Sequence, residues 1–279
     1  MTDRMLTQSH IAIFANMLHA EERASATIEK YLRDVRAFTA WLEGRELETA
    51  SGWREHLLER GYAPVTVNSM LSAVNRFLKF LGREDCKIKF LRVQRKAFRE
   101  ESRELTKAEY QRLLDAARET GQERLELLME TICATGIRVS EVRYITVEAA
   151  NRMGTDIHLK GKIRTILIPN KLRRKLLKYA KKNKIASGEI FLTGSGKRMS
   201  RGQIWREMKA ICKKAGVEES KVFPHNLRHL FATTFYKACK DIVKLADVLG
   251  HSSINTTRIY LVTTGAEHAR QLEKLGLVT

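Results

Sequence analysis

The stretch TDIHLKGKIRTILIP (residues 155–169) decides the fold class of this 279-residue chain. Apolar and polar residues alternate on both sides of a short KGK turn, and this pattern is typical of a two-stranded antiparallel hairpin. The segment EIFLT (residues 189–193) could add a third strand. Most of the remaining chain has helical periodicity, so the sequence predicts a mainly α protein with one small β-sheet.

Towards the N-terminus, residues 1–85 are predicted to form a compact unit of four helices. In residues 25–44, SATIEKYLRDVRAFTAWLEG, apolar side chains recur on one stripe, and Ser25 is expected to be the N-cap. Residues 64–82, PVTVNSMLSAVNRFLKFLG, repeat the pattern, with Pro64 opening the helix. The unit is therefore expected to have an all-helical core of its own.

Two further regions follow the helical unit. Residues 86–103 carry 7 Lys and Arg against 2 acidic residues and have little periodicity. We interpret them as an extended linker that crosses a polyanion, with an ordinary solvated connector as the alternative. Residues 104–279 begin with a capping box, Thr106 and Glu109, and contain the hairpin, so they are predicted to form an α+β domain.

The charge of the chain is unusually positive and is concentrated. There are 51 Lys and Arg against 32 Asp and Glu, a net charge of +19. Residues 1–85 have a net charge of −1, from 11 basic and 12 acidic residues, whereas residues 152–214 carry 19 basic and 3 acidic residues. A focused excess indicates a binding surface for a polyanion, most simply nucleic acid. General solubility or an anionic membrane surface are the alternatives.

The cysteines and the apolar runs indicate the compartment. Four cysteines stand far apart in the chain, with no CxxC pair and no neighbouring metal-ligand spacing: Cys86, Cys133, Cys212 and Cys239. No apolar run approaches the roughly 20 residues of a membrane span, and the first residues lack the design of a signal peptide. We expect a cytoplasmic protein with reduced thiols.

Three short segments carry residues that suit chemistry on a phosphate: ATGIRVSE, with Arg138; PHNLRH, with His225 and Arg228; and LGHSSINTTRIY, with His251 and Tyr260. A guanidinium fork matches two phosphate oxygens, a histidine transfers protons near neutral pH, and a tyrosine hydroxyl can act as a nucleophile. Each residue alone is more often structural. Together, in a basic chain without metal-ligand clusters, they indicate a metal-free phosphoryl-transfer site.

These three segments resemble the sequence boxes of the tyrosine recombinases, the integrase family of site-specific DNA recombinases. The resemblance is dense over residues 130–262 and looser over residues 1–103. It implies a SAM-like core-binding domain in residues 1–85, a basic linker in 86–103, and a catalytic domain with a C-terminal tail in 104–279.

The resemblance also implies a role for each residue. Arg138 and Arg228 would bind the scissile phosphate, while His225 and His251 would support proton transfer and hydrogen-bond that phosphate. Tyr260 would attack the phosphorus, leaving a 3′-phosphotyrosine and a free 5′ hydroxyl. The family's mechanism uses no cofactor, metal or ATP.

A lysine on the hairpin protonates the leaving 5′ oxygen in this family. The hairpin here looks one residue shorter than the family's G-K-G-x-K-x-R form, which leaves two candidates. Lys160 matches the lysine before the glycine, and Lys162 matches the lysine two positions before the arginine. We favour Lys160.

The partners implied by the resemblance are double-stranded DNA and further copies of the chain, in a tetramer on two duplexes. The tail would dock on a neighbouring protomer, with folding back on its own domain as the alternative. Neither a membrane nor a small-molecule substrate is expected, nor is an additional arm-binding domain. The biological use would be integration or excision of a mobile element, or resolution of dimers. The rival interpretations are a type IB topoisomerase and a DNA-binding relative without catalysis.

Overall fold

The structure is a computed structural model that describes residues 8–43, 45–93, 103–159, 162–251, 253–260 and 273. The chain divides into two compact units, Met1–Arg95 and Lys96–Thr279. The described residues are mostly helical and contain one sheet of two antiparallel strands, which confirms the predicted fold class.

The first unit contains the four predicted helices: α1 (Gln8–Ala20), α2 (Ser25–Leu42), α3 (Gly52–Glu59) and α4 (Pro64–Phe80). Pro64 occupies the first turn of α4 as expected, because a proline loses no helical hydrogen bond there. The prediction for Ser25 is wrong. Ser25 is already helical, and the N-cap is Ala24, which makes no side-chain capping bond.

The core of the first unit lies where α2 and α4 pack together. Phe38 of α2 meets Trp53 of α3 edge-on, at 5.9 Å between ring centroids. On the other side, Phe14 of α1 meets Phe77 of α4 at 5.2 Å. The apolar stripes of these amphipathic helices therefore bury each other, as their periodicity predicts.

The beginning of the basic segment lies along α4. The side-chain amide of Asn75 bonds both the N–H and the C=O of Ile88, each at 2.9 Å. Asn68 bonds the N–H and C=O of Leu91 in the same way, at 2.8 and 2.9 Å. Each asparagine amide therefore makes the pair of hydrogen bonds that the backbone of a neighbouring strand would make. These bonds hold residues 88–91 extended along the helical unit. Residues 94–102 of the predicted linker lie outside the described residues.

The second unit contains these elements: α5 (Lys107–Glu119), α6 (Glu123–Thr135), a 3₁₀ helix (Val139–Tyr144), α7 (Val147–Asn151), β1 (Gly154–Leu159), β2 (Lys162–Leu167), α8 (Asn170–Lys182), α9 (Arg201–Ala210), α10 (Cys212–Ala215), α11 (Pro224–Cys239), α12 (Ile242–Leu249), α13 (Ile254–Thr257) and a 3₁₀ turn (Arg258–Tyr260). The capping box at the start of α5 is confirmed: Thr106 and Glu109 each accept a backbone N–H of the other.

The hairpin is confirmed, and its register pairs Gly154 with Leu167 and Ile157 with Arg164. The predicted third strand is wrong. Residues 189–193 make only single bridges, from Glu189 to Thr146 and from Leu192 to Arg198. Ile190 and Phe191 are both buried, although successive residues of a strand point to opposite faces. The segment is therefore a buried connector of the core rather than a member of the sheet.

The core of the second unit forms around α6, which packs against α5, α8 and α11. Leu128 and Ile132 of α6 and Leu227 of α11 are fully buried. Among the described residues, none of the helices is long and apolar enough to cross a membrane. The predicted C-terminal tail lies outside the described part of the chain, apart from residue 273.

Candidate active site

Arg138 is placed by the way α6 ends. Gly136 terminates that helix with a left-handed φ of 63°, and a Cβ there would lie 2.4 Å from the ring of Phe231. Only glycine fits both the backbone angle and the space. The chain then turns into the 3₁₀ helix that begins after Arg138. The Arg138 side chain is partly exposed, at 41% of its surface.

Arg228 lies in the second turn of α11 and is 2% exposed. Its Nη1 donates to the carbonyl of Gly136, and its Nη2 donates to the carbonyl of Leu249 at 2.8 Å. Burial lowers the pKa of Arg228 to about 10, although a hydrogen bond to Tyr260 acts in the opposite direction. Arg228 thus connects the end of α6, the end of α12 and the predicted nucleophile.

His251 is held between two partners that determine its tautomer. Its Nε2 lies 2.9 Å from Nη2 of Arg228, and its Nδ1 lies 2.9 Å from Oγ1 of Thr257. Because a guanidinium only donates, Nε2 must accept, and the ring proton resides on Nδ1, which donates to Thr257. Burial, reinforced by the charges of Arg228, Arg138 and Arg164, lowers the pKa of His251 to about 4. The imidazole is therefore neutral at pH 7.

Tyr260 ends the last 3₁₀ turn and is 5% exposed. Its ring is nearly parallel to that of His251, at 5.9 Å and 9°, and stacks on His229 at 5.2 Å. It belongs to a small apolar cluster with Leu245 and Leu249 of α12. This packing holds the hydroxyl beside Arg228 rather than in open solvent.

His225 is exposed and lies near the same site, with its ring centroid 6.1 Å from that of Tyr260. Four predicted residues therefore gather around one point: His225, Arg228, His251 and Tyr260. The charge of Arg138 also acts on Arg228 and His251. Lys160 lies outside the described residues, and Lys162 is described only as the first residue of β2.

Comparisons with known proteins identify the family. The model of the phage integrase family matches residues 103–266, and that of the phage integrase N-terminal SAM-like domain matches residues 11–85. The chain belongs to the phage integrase family. Its relatives include the tyrosine recombinase XerA of Thermococcus kodakarensis, which is 29% identical, with 94% of this chain and 93% of the relative covered. The tyrosine recombinase XerC of Roseiflexus castenholzii is 30% identical, with 90% and 87% covered.

Solved structures of this family share the fold. The XerH recombinase bound to its difH substrate has a TM-score of 0.66 at 17% identity, with 97% of this chain and 90% of that one covered. A lambda integrase tetramer bound to a Holliday junction has a TM-score of 0.72 at 19% identity, with 93% and 78% covered. The interpretation of this chain as a tyrosine recombinase, an enzyme that cuts and rejoins DNA, is confirmed.

One residue of the recombinase site was given no role by the sequence analysis. Glu141 is fully buried, and its Oε1 accepts a hydrogen bond from Nη1 of Arg138 at 2.8 Å. Its Oε2 accepts from the backbone N–H of Arg138 at 2.8 Å and from Nη1 of Arg164. Burial raises the pKa of Glu141, but these bonds outweigh it and leave the pKa below its usual value. The signal in the sequence was an acid three residues after the arginine, at the start of a helix.

The site has an excess of positive charge. Arg138 and Arg164 share one carboxylate, that of Glu141, whereas Arg228 bonds the neutral carbonyls of Gly136 and Leu249 and His251 is itself neutral. Beside Arg138 a cavity of about 740 Å³ opens, and more arginines line it: Arg143, Arg198 and Arg201. Neither Tyr260 nor Arg228 lines this cavity. The arrangement is suited to bind an anion at Arg138 and Arg228 and to continue that binding along a chain of phosphates.

Proposed function

We propose that Tyr260 of this tyrosine recombinase attacks a DNA phosphate that is bound by Arg138 and Arg228. The observation that supports this is the position of Tyr260, whose ring lies parallel to that of His251 at 5.9 Å, while Nη2 of Arg228 lies 2.9 Å from Nε2 of the same histidine. A guanidinium next to the phenol favours the negative charge that develops on the phenol oxygen during attack. The Tyr260–phosphorus bond forms as the bond from phosphorus to the 5′ oxygen breaks.

The arginines have a structural reason to bind a phosphodiester. The site contains three arginines, Arg138, Arg164 and Arg228, and one carboxylate, that of Glu141. Two positive charges are therefore left without a negative partner. A bound phosphodiester supplies one negative charge in the ground state and more in the transition state. Charge-assisted hydrogen bonds from guanidinium groups to phosphate oxygens are the strongest that side chains form, and they strengthen as that charge grows.

The proton transfers are assigned to the histidines and to the hairpin. His225 is exposed beside Tyr260 and can accept the phenol proton or relay it to solvent. The Nε2 of His251 accepts a hydrogen bond from Nη2 of Arg228, so His251 orients the guanidinium that binds the phosphate. Lys160 protonates the leaving 5′ oxygen, and Lys162 is the alternative in that role.

We propose double-stranded DNA as the substrate and four protomers on two duplexes as the active assembly. The lambda integrase structure with the same fold is a tetramer on a Holliday junction. Apart from the buried Arg164, the 19 basic residues in 152–214 are the source of the phosphate contacts. Affinity should fall steeply with salt, since each neutralised phosphate releases counterions. Integration, excision and dimer resolution all use this strand exchange.

A nicked half-site substrate tests the residue assignment. After cleavage the short strand that carries the free 5′ hydroxyl is lost, so religation cannot occur and the covalent intermediate is trapped. The native protein should form an adduct that survives denaturing electrophoresis, and Tyr260→Phe should form none while binding DNA normally. Tyr236→Phe is the matched control, since Tyr236 packs against the same apolar cluster.

Two outcomes separate the proposal from its rivals. Relaxation of supercoiled DNA without Holliday-junction formation on paired sites would indicate a type IB topoisomerase. Binding without any adduct in the native protein would indicate a DNA-binding relative that has lost catalysis.

A further inference from the structure

Arg164 is a buried cation in strand β2. It lies on the inward-facing side of the strand, where the alternation of polar and apolar residues predicts an apolar side chain. In β2 the side chains of Arg164 and Ile166 point inward, while Ile163 and Leu167 are exposed. Arg164 itself is 8% exposed. Removing a guanidinium from water costs several kcal/mol unless partners compensate it, so this position requires an explanation.

The partners of Arg164 belong to two other parts of the site. Its Nη1 donates to Oε2 of Glu141, and its Nη2 donates to the carbonyl of Val248 at 2.9 Å. Val248 and Leu249 lie in the last turn of α12, where helix carbonyls have no intrahelical partner. Arg164 therefore satisfies one of these carbonyls, and Arg228 satisfies the next.

The side chain of Arg164 also runs directly over Gly250. A Cβ on Gly250 would lie 2.2 Å from Cδ of Arg164 and 2.9 Å from its Nε. Gly250 has a φ of 63° and immediately precedes His251. The absence of a side chain at Gly250 is what allows Arg164 to reach Val248.

These contacts join two groups that are assigned to the phosphate. Through Glu141, Arg164 is connected to Arg138, since that carboxylate also binds the side chain and backbone N–H of Arg138. Through Val248 and Gly250, it is connected to the segment that presents His251. Nη1 and Nη2 of Arg164 each bond an acceptor on a different segment, so the residue is suited to hold these segments together.

We propose that Arg164 is a positioning residue that fixes Arg138 and His251 relative to each other, so that Arg138 and the Arg228 guanidinium that His251 orients contact one scissile phosphate. The inference rests on the proposed function of the site. A purely structural role is a poorer account, because well-packed apolar residues stabilise a core at least as well as a buried ion pair.

Two substitutions test this role, and one matched control accompanies them. Arg164→Lys keeps the charge but cannot span Glu141 and Val248 with one fork. Gly250→Ala keeps Arg164 but places a methyl group in its path. Gly216→Ala is the control, because Gly216 has a similar φ of 58° with nothing within 4 Å of a built Cβ.

The expected results separate positioning from folding and from binding. On the nicked half-site, Arg164→Lys and Gly250→Ala should form the adduct at least ~10-fold more slowly, as loss of orientation predicts. The Kd for DNA should stay within about twofold of native, since phosphate contacts elsewhere supply most of the affinity. Gly216→Ala should cleave as the native protein does. If Arg164→Lys fails to fold, the two glycine variants decide the question.

A double variant provides a readout that a structural role would not change. If Arg164 acts through Arg138 and His251, then the losses caused by Arg138→Lys and Arg164→Lys should combine in the double variant to less than their product. The inference would be overturned if the rate losses of the two single variants multiplied in the double variant, or if Arg164→Lys cleaved like the native protein. It would also be overturned if the two glycine variants cleaved equally or if DNA binding were weakened.

A measurement without cleavage separates this inference from the proposed function. The NMR titration of His251 should move towards the ordinary histidine range in Gly250→Ala and stay unchanged in Gly216→Ala. An unchanged titration in both would overturn the inference even if the native protein cleaves DNA. A native protein that forms no adduct, with the titration moved as expected, would instead contradict the proposed function.

Discussion

Replacing Arg228 by lysine is the most demanding test of the phosphate site. The substitution keeps one positive charge but replaces a planar fork by a single ammonium group. Arg228 now bonds the carbonyls of Gly136 and Leu249 and the Nε2 of His251. These acceptors use both Nη atoms of Arg228, so a lysine, which has a single nitrogen, cannot satisfy all of them.

The size of the effect follows from these lost bonds. A hydrogen bond to a charged group contributes about 1.5–3 kcal/mol, so the loss of two should lower the free energy of unfolding by about 3 kcal/mol or more. Cleavage should fall by at least ~10²-fold, the scale of removing a transition-state donor. Burial lowers the pKa of Arg228 to about 10. The same burial would lower the pKa of a lysine from a smaller starting value, so the variant alone should lose activity as the pH becomes alkaline.

The assay is the rate of adduct formation on the nicked half-site at neutral and alkaline pH, with thermal unfolding measured in parallel. Arg112→Lys is the matched control, because Arg112 also bridges two backbone carbonyls, those of Ala215 and Gly216, outside the candidate site. It should cleave at the native rate. If Arg228→Lys cleaves within about threefold of native, the fork of Arg228 does not bind the scissile phosphate.

Three further predictions concern the pH dependence, the hairpin and the tail. Burial lowers the pKa of His251 to about 4 in the folded protein, below the value near 6.5 of an unfolded histidine. The unfolded state therefore binds the proton more readily, and stability should fall as the pH drops from 6.5 towards 4, by an amount that solvent screening of this half-exposed ring reduces. Urea unfolding at several pH values measures this, and His251→Gln should flatten the slope; an equal slope in that variant would assign the loss to other groups. A 5′-bridging phosphorothioate, which needs less acid catalysis, should rescue Lys160→Ala. Rescue of Lys162→Ala alone would reverse our choice of lysine. Truncation after Thr264 should leave binding of the first protomer intact and reduce cooperative binding of the second in gel shifts; unchanged cooperativity would show that the tail does not join protomers.

The parts of the fold that the sequence predicts well are those with a local cause. The helices α2 and α4 follow from apolar stripes at helical spacing, and the hairpin β1–β2 follows from alternation around a turn with a glycine. The capping box of Thr106 and Glu109 involves residues three apart, so it too could be recognised from the sequence.

The parts that could not be predicted depend on contacts between distant segments. EIFLT has the composition of a strand, but Ile190 and Phe191 are both buried in the core, and within the described part of the chain the segment makes only two isolated bridges. From the sequence, Arg164 would be expected to be an exposed residue of a hairpin. It is buried because α12 and Glu141 pack against it and accept its hydrogen bonds. The stacking of His229 on Tyr260 likewise appears only when α11 meets the 3₁₀ turn that ends at Tyr260.

The central claim is that Tyr260 becomes covalently joined to DNA, and mapping the attached nucleotide tests it most directly. The adduct from the nicked half-site is digested with nuclease and protease, and the modified peptide is sequenced by mass spectrometry. We expect the nucleotide to be attached to the Tyr260 oxygen through its 3′ phosphate. Attachment to any other residue, or through a 5′ phosphate, would contradict this account of the site.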